Sequence, residues 1–156
     1  MKKQFKESVA HKGTLSIKLF DKAGNLKDER LIRNLMMNVG EAHIADQLAS
    51  APDESAMSHM AIGTGTTDPT SANTALEFQL DRNALTSRTQ GAGAADNDVI
   101  YVGDWAAADG TGAITEAGIF NSSAAGTMLA RATFPVINKG ASDTLQITWT
   151  VTIGSS

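Results

Sequence analysis

The run Thr144-Leu-Gln-Ile-Thr-Trp-Thr-Val-Thr-Ile153 places apolar residues at 145, 147, 149, 151 and 153, with Thr or Gln between them. Successive side chains of a strand point to opposite faces. The alternation therefore predicts a half-buried strand, with Leu145, Ile147, Trp149, Val151 and Ile153 inward and a threonine ladder outward. Immediately upstream, Ala113 to Asn121 and Thr127 to Phe134 flank Ser122-Ser-Ala-Ala-Gly126, which reads as two strands joined by a turn. Glu116 and Arg131 can face each other across that hairpin as a cross-strand pair. This last third of the chain is scaffold and contains no catalytic group.

At the other end, Gly13 to Phe20 alternates with Leu15, Ile17 and Leu19 on one face. Asp21-Lys-Ala-Gly-Asn25 supplies turn chemistry, and Leu26 to Ile32 returns as the partner strand. Asn38-Val-Gly-Glu41 has the form of a capping box, and Ile44, Ala45 and Leu48 follow at helical spacing before Pro52. The expectation is one short helix over about 39–50, with Ile44 and Leu48 packed on the sheet and Met36 or Met37 beside them. Asn73 to Leu85 reads as a strand from the alternation of Leu76, Phe78 and Leu80, although its composition also suits a helical turn. Asp98 to Trp105 is apolar on both faces except at its ends, which predicts a central strand between covered faces. Eight or nine strands with turns at short spacing make the fold class mainly β: an antiparallel β-sandwich or jelly-roll-like domain with one short α-helix. Residues 13–156 form that single domain, and 1–12 form a basic N-terminal arm, with the start of a strand expected near Phe5 to Val9.

The net charge is −4, from 13 Lys+Arg and 17 Asp+Glu, which argues against a nucleic-acid partner for the domain as a whole. The charge is unevenly spread. Residues 1–33 hold nine basic and four acidic residues, while 34–156 hold four and thirteen. The chain is thus a basic strip on an acidic body. Lys2, Lys3, Lys6 and Lys12 are the candidate assembly contacts, because an arm with so few apolar residues orders only against another chain. With no cysteine, disulfides and thiolate metal sites are out, in keeping with a reducing cytosol. The start Met1-Lys-Lys-Gln-Phe-Lys lacks the apolar core of a signal peptide, and no run approaches the ~20 apolar residues of a membrane span. The expectation is a soluble chain with no membrane partner.

Sites of chemistry are not evident. Gly63-Thr-Gly65 ends a short apolar strand, but no lysine follows to make a phosphate loop, and Asp68 stands where a dinucleotide fingerprint needs its third glycine. Gly91-Ala-Gly93 fails the same test. His11, His43 and His59 are scattered without a metal-binding spacing, and Glu77, Asp81 and Glu116 match no catalytic pattern. No catalytic residue, metal site or cofactor is expected.

Four segments, Met60 to Thr67, Thr115 to Asn121, Gly126 to Arg131 and Asp143 to Val151, resemble a widespread family of small tailed-bacteriophage virion structural proteins. Gly24-Asn25, Asn34-Leu35 and Val39-Gly40 look like the same family's N-terminal half. Such proteins are described as head, collar, decoration or tail-fibre components. The resemblance implies a non-enzymatic, multi-copy subunit attached to the head, neck or tail surface through contacts with other virion proteins and with sister copies as a homo-oligomer. It implies a virion location after assembly in the host bacterial cytoplasm. The alternative is a host-surface carbohydrate-binding module of a tail fibre, for which Trp105 and Tyr101 are the aromatic residues near candidate loops.

Overall fold

A computed structural model describes residues 11–154. They form ten strands and one helix: β1 His11–Phe20, β2 Leu26–Arg33, β3 Leu35–Met36, α1 Asn38–Gln47, β4 His59–Gly63, β5 Gln79–Ala84, β6 Ser87–Gln90, β7 Asp98–Trp105, β8 Gly112–Phe120, β9 Met128–Lys139 and β10 Thr144–Ile153. Two antiparallel sheets face each other, sheet A in the order β2-β1-β10-β7-β6 and sheet B in the order β3-β9-β8-β4-β5. The fold is the β-sandwich that the alternation predicts.

The chain-terminal strands lie together at the centre of sheet A. In the β1–β10 pairing, Leu15 meets Trp149, Ile17 meets Ile147 and Leu19 meets Leu145, and all six side chains are buried. The expected inward face of β10 holds except at Ile153, which is 38% exposed because it lies at the open end of the sandwich. Trp149 is fully buried, and its Nε1–H donates to Asn34 Oδ1 at 2.9 Å, so its one polar atom is satisfied inside the core. From sheet B, Met60, Ile62, Ala117, Ile119, Ala130, Ala132 and Phe134 complete the same core.

Both margins are sealed by strands that change sheets. On one side β2 leaves sheet A and continues through Asn34 into β3 of sheet B; on the other β5 leaves sheet B and continues through Leu85 and Thr86 into β6 of sheet A. At each crossing the backbone remains bonded, with Asn34 N–H donating to the Gly13 carbonyl at 3.1 Å and Thr86 N–H to the Val102 carbonyl at 2.8 Å.

Several expectations are corrected. The helix spans 38–47, and its N-cap is Met37, extended at φ −86 and ψ 148 without a side-chain cap bond. Asn38 does not cap, because its own N–H is taken by the Ser71 carbonyl at 2.8 Å, which fixes the helix start from a distant loop. Leu48, expected on the sheet, is 83% exposed, since the helix has already ended; Ile44 does pack on the core, and Met36 and Met37 are buried. In the 73–85 stretch only Gln79–Ala84 is strand, and Phe78 and Leu80 point to solvent while Leu76 is buried. β7 is central in its sheet but covered on one face only: Tyr101, Gly103 and Trp105 are buried, and Ile100 and Val102 are half-exposed on the other face.

Candidate functional site

Over 116–120 of β8 and 128–132 of β9 the side chains are buried on both faces. Inward lie Ala117, Ile119, Ala130 and Ala132; outward, a second cluster of Met37, Ala61, Leu76, Phe120 and Met128 packs with Val39 between sheet B and the chain that covers it. That cover consists of the start of α1 and the loop 64–78. The amide of Met37 donates to the Leu129 carbonyl at 3.1 Å, and Gly40 passes so close to that carbonyl that a Cβ there would overlap it.

The loop 64–78 is held by one buried carboxylate. Glu116 is fully buried; its Oε1 accepts from the amides of Phe78 at 2.8 Å and Gly65 at 3.0 Å, and its Oε2 from the amide of Glu77 at 3.1 Å and from Arg131 Nε at 2.9 Å. Arg131 Nη2 also lies 2.8 Å from Oε2, but its N–H points off that line, so this contact is electrostatic and the directed bond comes from Nε. Arg131 Nη1 reaches back to Asn73 Oδ1 at 3.1 Å. The expected Glu116–Arg131 pair thus exists, as a diagonal one: the register sets Glu116 opposite Thr133 and Gly118 opposite Arg131. Gly63 and Gly65 are where the carboxylate and the loop approach each other, and a Cβ at either position would come within 2.6 Å of Glu116 Oε1. The Gly-Thr-Gly turn therefore cradles a side chain of its own protein.

A second carboxylate finishes the loop. Glu77 accepts from the amides of Thr66 and Thr67 and from the Thr67 hydroxyl, at 2.9 to 3.0 Å, and these bonds, the Thr67 amide first, hold it below the ordinary carboxylate range. Around α1, Asp46 accepts from the amides of Asp53 and Glu54 and is lowered by them. Glu54 accepts from His43 Nδ1 at 3.0 Å and is lowered chiefly by that bond. Each of these groups is occupied in tying chain to chain.

At the α1 end of the sandwich, an apolar cleft of about 180 Å³ opens between the helix and sheet A, lined by Ile44, Met57, Val99, Tyr101, Leu129 and Val151 among others. Its lip includes Ile153, which pairs with His11, the first of the described residues. Of the four arm lysines, Lys12 stands exposed in β1 opposite Thr152. Lys2, Lys3, Lys6 and the Phe5–Val9 stretch lie outside the described residues. Trp105 and Tyr101 are 1% and 7% exposed, so neither offers a ring face to a sugar. Among the described residues no three His, Asp or Glu side chains cluster as a metal site, and no helix is long and apolar enough to cross a membrane.

The outer face of sheet A differs from everything above. Its rows run across the strands as Leu31–Ser16–Thr148–Val102–Ser87 and Arg33–Thr14–Thr150–Ile100–Thr89, flanked by Glu29–Lys18–Gln146–Asp104 on one side and Lys12–Thr152–Asp98 on the other. Among the described residues no strand or helix packs across it; α1 packs on β9 instead. Sequence reasoning finds the threonines of this face but not the apolar side chains of β7 beside them. In comparisons with known proteins, no family model, no curated protein and no solved structure matches the chain.

Proposed function

We propose that this chain is a non-enzymatic structural subunit of a tailed-bacteriophage particle, present in many copies and attached to the head, neck or tail surface by protein–protein contacts. The observation that carries the reading is the bare face of sheet A, a broad two-dimensional array of Thr, Ser, Ile and Val side chains, in a molecule whose buried Glu116 is occupied by its own backbone amides and by Arg131. The segments that resemble virion proteins support it too. Three of them, 60–67, 115–121 and 126–131, meet at the Glu116 carboxylate through Gly65, Glu116 and Arg131, and the fourth is the central strand of the bare sheet. Attachment rests on surface complementarity: the bare face packs on sister copies or on neighbouring virion proteins, and the basic arm with the first hairpin docks in an acidic groove of the underlying shell. Assembly follows synthesis in the host cytoplasm, and the mature location is the virion.

Mass spectrometry of purified particles from a phage encoding this chain tests the role, with many copies per particle expected and absence from the particle contradicting it. For the arm, deletion of residues 1–10 removes none of the described residues. It is expected to leave the thermal midpoint of the isolated protein unchanged while lowering incorporation, and raised salt should weaken attachment of the intact chain. A lowered midpoint with undiminished incorporation would count against the docking arm.

A further inference from the structure

The charges on the bare face of sheet A have a symmetry of their own. β1 and β7 flank β10 on opposite sides, and the register sets Lys18, Gln146 and Asp104 on one row and Lys12, Thr152 and Asp98 on another. Both rows therefore read positive on β1, neutral on β10 and negative on β7. All of these side chains share the outer face: Gln146 Nε2 donates to Asp104 Oδ1 at 2.9 Å, the Thr152 hydroxyl to Asp98 Oδ1 at 2.6 Å, and Lys18 Nζ lies 3.6 Å from Glu29.

We propose that this face is self-complementary and that a second copy of this chain packs on it about a two-fold axis lying along β10. A half-turn about that axis carries β7 of each copy over β1 of the other without shifting the rows. Lys18 then faces Asp104 of the second copy and Lys12 faces Asp98, each contact occurring twice. In the middle rows, Thr148 and Thr150 meet their own symmetry mates, Ser16 meets Val102 and Thr14 meets Ile100, so the two half-exposed apolar residues of β7 gain cover. Leu31, 77% exposed on β2, falls against Ser87.

The same charges exclude the competing arrangement. A two-fold axis running across the strands, midway between the charged rows, would set Lys18 on Lys12 and Asp104 on Asp98, like upon like. Size also fits. Five strands about 4.8 Å apart and up to ten residues long present roughly 600–800 Å², close to the ~800 Å² per partner of a standard specific interface. The facing strands run in the same direction, as in aligned sheet packing.

This pairing deepens the proposed role and rests on its reading of the face as a packing surface, but it needs no particle for its test. Sedimentation equilibrium of the full chain at low salt is expected to show a dimer. Lys18→Glu sets Glu on Asp104, and Asp104→Lys sets Lys on Lys18, so each variant alone should dissociate at least about tenfold more readily. An equal mixture of the two variants should dimerise again, because the two introduced charges then oppose each other at one edge of the interface while the native Lys18–Asp104 contact forms at the other. Asp104 also accepts bonds within its own chain, so a cooperative thermal transition checks that each variant is folded. Thr148→Arg, at the axis, sets two arginines together and should dissociate the dimer while the monomer still unfolds cooperatively, at a midpoint that no longer rises with concentration. A monomeric wild type at high concentration overturns the pairing, as do variants that remain dimeric or a folded mixture that stays monomeric. Particle mass spectrometry decides the structural role independently of these outcomes.

Discussion

Sheet B holds its outer face beneath its own chain, whereas among the described residues no strand or helix covers the outer face of sheet A. The strands themselves account for the difference. β8 and β9 place apolar residues side by side in sequence, as in Ile119-Phe120 and Met128-Leu129, so each strand has something to bury on both faces. β10 keeps strict alternation, and its second face is all hydroxyl and amide. A face of Thr tolerates water and also tolerates a neighbour, whereas a face of Phe120 and Met128 requires a lid. The lid on sheet B is a loop with few apolar residues, which is why a buried carboxylate has to hold it.

Breaking the lid should have the largest effect. Glu116→Ala removes the nearer counter-charge of buried Arg131, leaving Glu77 at 3.9 Å, and releases three amides; it is expected to cost about 3–5 kcal/mol in chemical denaturation. Trp149→Ala strikes the core common to both sheets and should cost about 3–5 kcal/mol through transfer and cavity terms. Gly40→Ala would raise the stability of an ordinary helix. Here it forces a methyl onto the Leu129 carbonyl, so a loss of about 1–3 kcal/mol is expected, and a gain in thermal midpoint would show that the helix is not pressed on sheet B as described.

Acid sharpens the comparison in another way. Glu77, Asp46, Glu54 and Asp143 have folded-state pKa values lowered from ordinary values of 4.5 or 3.8, by bonds from Thr67, Asp53, His43 and Lys27 respectively. A depressed carboxyl contributes stability above its unfolded pKa and loses it as pH falls through the folded value. Stability should therefore decline below about pH 4. Hydrogen exchange should show the 64–78 loop and the 46–54 segment opening before β1 and β10. The smallest effect belongs to the bare face: Thr148→Ala should change folding stability by no more than about 0.5 kcal/mol.

The sandwich, the first hairpin and the inward face of β10 were legible because period-2 alternation reports which side of a strand meets a core. Double cover is expected on β7 from its sequence and belongs instead to β8 and β9. Val99, Ile100, Tyr101 and Val102 form an apolar run without stating whether its second face meets a lid from the same chain. Nothing local to Asn38 says that Ser71 will take its amide, so the capping pattern sets the cap one residue late. For the buried carboxylate the available signal was a lone Glu in the apolar stretch Ala113–Phe120, with Arg131 on the neighbouring strand and two glycines at 63 and 65 that leave it room.

The pairing of β1 with β10 also sets an order in time. Every strand of sheet B precedes β10 in the chain, so β4, β5, β8 and β9 emerge from the ribosome first and can pair, with the Glu116 carboxylate gathering its loop, before β10 is free to join β1. Until then β1 and β2 have only each other, and an isolated two-stranded hairpin is marginal in water. Sheet A thus closes last, across contacts between residues more than a hundred positions apart, and such closure is slow and leaves its hydrophobic strands exposed to other chains in the interval. A stalled chain truncated before Thr144, and carried clear of the ribosomal exit tunnel by a flexible linker, should already protect sheet B while Leu15, Ile17 and Leu19 still lack their partner.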